Sequence, residues 1–305
     1  MTEPVIHIGY HKTGTTWLQR QMFASAELGY RRIRFTQDDL DLYRVHDFDF
    51  DAARCRAEMQ RKLERCEREG LIPVVSMMRL SGNPHAGGYD SRALADRIAA
   101  VFPAARVLIV IREQRSMILS TYAQYVKMGG PCSLAAYLLT PDDSRRPGFR
   151  FEQFRYDRLI AHYQRLFGRE RVLVQTYERF RDEPQPFAET VAAFCGGKAP
   201  PPEAESAVLN RSLGPLALAL LRWLNPFVNA DSLNGWSPYA SKWLNKPARL
   251  LVDGVDRATP RALKDGIQQR WRTLVERECQ GRYEESNQRS AALTGLDLAR
   301  WGYRL

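Results

Sequence analysis

Four short and almost uninterrupted apolar runs limit what this chain can fold into. They are Val5-Ile6-His7-Ile8, Ile72-Pro73-Val74-Val75, Arg106 to Ile111 and Arg171 to Gln175. Strands without polar alternation must be covered on both faces, as a parallel sheet requires. Helix-period stretches separate them: Thr16 to Leu28, Ala53 to Arg68, Ser91 to Phe102, Gln114 to Lys127 and Phe151 to Phe167. The alternation predicts an α/β fold, a doubly wound parallel sheet flanked by helices, with ligands at the carboxyl ends of the strands. After Gly196-Gly197 and Pro200-Pro201-Pro202, helical patterns resume at Leu213 to Leu224 and Arg261 to Arg277. An α-rich final third, about 203–305, packed on the same core is expected, so residues 1–305 read as one domain.

The loop after the first strand is the most informative segment. Gly9-Tyr10-His11-Lys12-Thr13-Gly14-Thr15-Thr16-Trp17 joins a strand to an apolar helix through a turn of glycines and hydroxyl residues. Free backbone N–H groups and a helix N-terminus attract an anion there, and glycine lets it come close. The spacing invites comparison with the nucleotide loop G-x-x-x-x-G-K-[ST]. Gly9 and Gly14 fit, but Thr15 stands where the lysine belongs, and Lys12 lies inside the turn. A kinase or NTPase is thereby disfavoured.

Lys12 to Trp17 resembles the 5′-phosphosulfate loop of sulfotransferases that use 3′-phosphoadenosine 5′-phosphosulfate (PAPS). The resemblance implies that Thr13, Gly14, Thr15, Thr16 and Trp17 form the cradle and that Lys12 contacts the bridging oxygen. Arg112, at the carboxyl end of the third run, and Ser120, on the same helix face as Ser116, supply one charged and one neutral donor for a second phosphate. That pair is similar to the family's 3′-phosphate element. The resemblance also carries Tyr177, after the fourth run, to the neighbourhood of the adenine. Asn210-Arg211-Ser212 and the ending Tyr283 to Leu305 look like bacterial carbohydrate-type members.

The base is the weak point of the match. Where many bacterial relatives carry S-x-E-x-L-S-G, this chain reads Ser76-Met77-Met78-Arg79-Leu80-Ser81-Gly82, with Met78 in place of the glutamate. A thioether cannot take a proton. His85, on the loop that follows, is the first candidate because an imidazole titrates near neutral pH. Asp90, His11 and Glu113 remain as alternatives. The expected reaction is sulfuryl transfer from PAPS to a hydroxyl of a saccharide, glycolipid or small molecule, leaving adenosine 3′,5′-bisphosphate (PAP). A nucleotide binder without turnover is the alternative.

Composition narrows the partners. Lys and Arg outnumber Asp and Glu by 45 to 35, a formal charge of +10. That favours anionic ligands, yet no basic run with interleaved aromatics points to nucleic acid. The five cysteines form no C-x-x-C pair, and no histidine has metal-ligand spacing, so neither a disulfide framework nor a metal is expected. No leader-like or membrane-length apolar segment is read, and a cytoplasmic protein is expected. Trp223, Trp236, Tyr239 and Trp243 read equally well as sugar-stacking aromatics or as core of the helical third.

Overall fold

The protein is represented by a computed structural model that describes residues 3–33, 41–139, 148–202, 213–228, 239 and 241–305. Asn210, Arg211, Ser212 and Trp236 lie outside the described residues. Five strands, β1 (Val5–His7), β2 (Tyr30–Ile33), β3 (Ile72–Ser76), β4 (Arg106–Ile111) and β5 (Val172–Thr176), form one parallel sheet in the order β2-β3-β1-β4-β5. Helices cover both faces, which is the P-loop-like arrangement expected. Four of the strands fall on the four apolar runs.

The fifth, β2, was not expected. Its sequence Tyr-Arg-Arg-Ile has no apolar run, because it sits at the sheet edge with only β3 beside it. Arg31 pairs there with Glu69 at 2.6 Å. The helix expected over Thr16 to Leu28 is also shorter. It runs only through Thr15–Trp17, widens into a π-type turn at Leu18–Met22 and ends at Phe23, so that the chain can turn back and enter β2. Helices at Ala52–Arg68, Ser91–Val101, Gln114–Lys127 and Tyr156–Phe167 follow the expected periodicity to within a few residues, the last preceded by a tight turn at Phe151–Phe154.

Strand order decides where the site lies. β1 pairs with β3 on one side and β4 on the other, with His7 level with Ser76 and with Leu108. The connections leave β1 toward one edge and return to β4 on the other, which opens a crevice above the carboxyl ends of these two strands. The loop after β1 and the residue after β4 are therefore neighbours by topology.

The last third is helical, with helices at Pro215–Leu224, Asn245–Ala258, Arg261–Cys279 and Glu284–Thr294. Val275, Cys279, Tyr283, Leu298 and Tyr303 are buried in the same cluster as Ile6, Val107 and Ile109. Buried polar bonds fasten this part to the site's scaffold. Gln114 Nε2 donates to Asn287 Oδ1 at 2.6 Å, and Tyr303 Oη donates to Glu178 Oε2 at 3.3 Å. Trp223, Tyr239 and Trp243, in contrast, are exposed. The core reading of these three aromatics is not what the chain does with them.

Candidate functional site

The loop after β1 is held in a conformation that costs backbone energy. Lys12 has φ +67°, in the left-handed region that a non-glycine residue seldom adopts. Thr13 Oγ1 donates to the Tyr10 carbonyl at 2.5 Å and closes the turn. Gly14 has φ +82°, and a Cβ there would lie 2.9 Å from the Phe180 ring, so glycine is required twice over. The Thr15 hydroxyl is buried and has no partner. A buried hydroxyl left without a bond is costly, and an anion seated in the loop would satisfy it. Thr16 is half-buried beside it, and Trp17 is buried with its ring 5.1 Å from Phe180.

Arg112 meets this loop directly. Its Nη1 donates to the Lys12 carbonyl at 3.1 Å, and its Nε donates to Ser116 Oγ at 2.9 Å. Its guanidinium lies 4.5 Å from the centre of the Tyr177 ring, a cation–π contact. Tyr156 Oη fixes the backbone by donating to the Arg112 carbonyl at 2.6 Å. Ser120 follows Ser116 by one turn on the same half-buried face. The two sequence elements thus come together, and Tyr177 joins them.

Glu113 does different work. Its carboxylate accepts from the backbone N–H groups of Arg115 at 3.1 Å and Ser116 at 3.0 Å, capping the Gln114–Lys127 helix, and it also pairs with Arg115. Asp90 is likewise engaged, accepting from the Asn83 N–H at 3.2 Å and pairing with Arg79. His85 is less committed. Its Nδ1 is 3.1 Å from Tyr137 Oη, while its Nε2 is buried without a partner. Burial pushes the His85 imidazole down to about 4, so it is unprotonated at neutral pH. His11 is pushed to about 4 as well, by burial first and then by His85, Arg79 and Lys12. Met78 opens the turn Met78–Ser81 directly after β3.

Several residues that bear on the site were not singled out from the sequence. Lys127 is 127 − 116 = 11 residues past Ser116, about three helical turns, and so returns to the same face. The Lys12 ammonium is held below its ordinary range by burial, then by the charges of Lys127 and Arg112. Lys127 itself is lowered by burial. The i+11 spacing was available in the sequence. Arg79 Nη1 and both amide atoms of Gln153 are buried and unpartnered, and Tyr125 and Tyr137, 4.7 Å apart, both lie against His85. No spacing signal announces these. Among the described residues no group of His, Cys, Asp and Glu could hold a metal ion.

Comparison with known proteins identifies a family. Residues 2–214 match the family described as "Sulfotransferase domain". No curated protein matches. Two similar solved structures are a sulfotransferase from Alicyclobacillus acidocaldarius and the sulfotransferase domain from the curacin biosynthetic pathway. The first is 19% identical and covers 77% of this chain and 99% of its own, with a TM-score of 0.47. The second is 12% identical and covers 83% and 97%, with a TM-score of 0.43. With the family match spanning well over half of its length, the chain belongs to the sulfotransferase-domain family.

Proposed function

We propose that the protein transfers a sulfuryl group from PAPS to a hydroxyl of a saccharide, glycolipid or small-molecule acceptor. The observation that carries this reading is the bond from Arg112 Nη1 to the Lys12 carbonyl, which locks the two anion-binding elements into one crevice. The residues present fit the nucleotide. The orphaned Thr15 hydroxyl with Thr13, Gly14, Thr16 and Trp17 would hold its 5′ end, Arg112 and Ser120 its 3′-phosphate, and Tyr177 would flank the base. PAPS supplies a sulfuryl group on a good phosphate leaving group.

The acceptor oxygen forms a bond to sulfur as the bond from sulfur to the bridging oxygen breaks, and PAP leaves. Lys12 neutralises charge that grows on that bridging oxygen, by the electrostatic logic of phosphoryl transfer. Lys127, on the same helix face as Ser116 and close enough to depress Lys12, would face the oxygens of the moving group. The proton of the acceptor hydroxyl goes to His85 Nε2, which has no competing partner. Sulfuryl transfer of this kind calls on no metal. We also read residues 1–305 as one domain acting in the cytoplasm.

Calorimetry with PAP and with AMP tests the donor. PAP should bind and AMP should bind far more weakly; equal affinities would remove the 3′-phosphate element from the reading. Mass spectrometry of cell-extract products made with labelled PAPS would then identify the acceptor. Met78 favours a second reading, a nucleotide binder without turnover. Should the parent prove inert and Met78→Glu active, that second reading holds.

A further inference from the structure

The helical third carries a surface that sulfuryl transfer does not use. Trp243 is 91% exposed, Leu250 74% and Trp223 73%, with Phe227 and Leu251 also in solvent. The Pro215–Leu224 helix packs on the Asn245–Ala258 helix, and Phe227 lies 6.5 Å from Tyr239. The Asn245–Ala258 helix has two apolar faces. Val252 on one is buried, whereas Pro247, Leu250, Leu251 and Gly254 follow the i, i+3, i+4, i+7 spacing on the other and are exposed. An exposed apolar patch of this kind marks a binding surface.

Charge indicates the occupant. Lys246 and Arg257 lie beside Leu250 along the edge of the apolar stripe, exposed and outside any ion pair among the described residues, with Arg249 exposed further round the helix. Asp253 is the helix's exposed carboxylate, and its other acid, Asp256, is buried and paired with Lys264 at 3.1 Å. Protein–protein interfaces are depleted in lysine, while a helix with Trp and Leu on one face and Lys and Arg beside them suits a lipid headgroup layer. The chain's formal charge of +10 acts in the same direction.

We propose that this face, centred on Trp243 and Leu250, docks peripherally on an anionic lipid bilayer. Trp223, Trp243 and Leu250 enter the boundary between headgroups and acyl chains, and Lys246 and Arg257 meet lipid phosphates. The position of the patch gives docking a purpose. Asn225, at the end of the Pro215–Leu224 helix, donates from Nδ2 to the carbonyls of Val126 at 2.8 Å and Gly130 at 2.9 Å, on either side of Lys127. Docking would therefore hold the Lys127 end of the crevice over the membrane, where hydroxyls of lipid-linked acceptors lie. That last step rests on the sulfotransferase reading; the docking itself does not.

The test is co-sedimentation of the full chain with phosphatidylcholine vesicles, with and without phosphatidylglycerol, alongside calorimetry with PAP. The chain should bind the anionic vesicles at least about tenfold more tightly, and high salt should release it. Trp243→Ser combined with Leu250→Ser should lose about tenfold in vesicle affinity and leave PAP affinity unchanged. Failure to bind anionic vesicles, or equal binding by the double variant, overturns the proposal. So does a concentration-dependent doubling of mass that the double variant abolishes without any vesicle binding, because a second copy would then cover the face. Loss of PAP binding in the parent would sink the sulfotransferase reading alone.

Discussion

The two ends of the crevice are built differently. At the donor end, backbone and side chains close on each other: Thr13 on Tyr10, Arg112 on Lys12 and Ser116, Tyr156 on Arg112. At the acceptor end, polar atoms are buried but left open: His85 Nε2, Arg79 Nη1 and both amide atoms of Gln153. A closed network rigidifies and can be ready for a single invariant ligand. An open one carries desolvated groups whose partners must come from a second molecule. On the proposed reading, the difference teaches that the donor site is preorganised, whereas the acceptor completes its own.

Replacing residues at each end should separate these roles. The largest effect is expected for Lys12→Ala, which should lower transfer by about a thousandfold, as loss of a charge-stabilising donor does, with the fold intact by circular dichroism. An unchanged rate would remove the donor end's central charge. His85→Gln comes next, at roughly a hundredfold in kcat with PAP affinity unaltered. Its pH profile is the sharper readout. Because burial holds His85 to about 4, the parent's rate should stay flat as pH falls through 6.5 and decline only near 4. The alkaline limb should fall below the ordinary lysine range, since the Lys12 ammonium is depressed. An inflection near 6.5 would argue for a solvated base.

Arg112→Ala should weaken PAP by about tenfold to a hundredfold, since on the proposed reading it removes a charged partner of the 3′-phosphate and also the bond that holds the Lys12 loop. Lys127→Met should have a smaller effect, with a distinct signature. PAP and PAPS carry nearly equal charge, so long-range electrostatics cancel in their ratio. The variant should weaken PAPS by about fivefold relative to PAP; an unchanged ratio would confine Lys127 to shaping the crevice.

The smallest effect should appear in stability. Burial first, and Arg32 second, push His7 down to about 3. An unfolded imidazole binds a proton near 6.5, so below that pH the unfolded chain takes up more protons than the folded one. Stability from this group is complete above 6.5 and declines as pH falls toward 3, by roughly 2 kcal/mol at pH 5. Urea unfolding of the parent and of His7→Gln across that range checks the slope, which should be shallower in the variant.

Much of the donor end could be read from the chain itself. Lys12 to Trp17, Arg112, Ser120 and Tyr177 are each tied to a strand end, and strands buried on both faces announce themselves as apolar runs. β2 escaped because an edge strand with Arg31 and Arg32 carries no such run. The helix after the loop was overextended because its apolar spacing continues past the point where the chain turns toward β2.

Local order along the chain therefore determined the α/β alternation and the residues proposed to hold the donor, since periodicity and glycine placement act over a few neighbours. Tertiary structure alone decided that Arg112 touches Lys12, 100 residues away, because strand order set β1 beside β4. It also gathered His85, Tyr125 and Tyr137 from separate segments, and left Trp243 and Leu250 in solvent. Burial depends on what packs against a residue, and hydropathy along the chain does not carry that information.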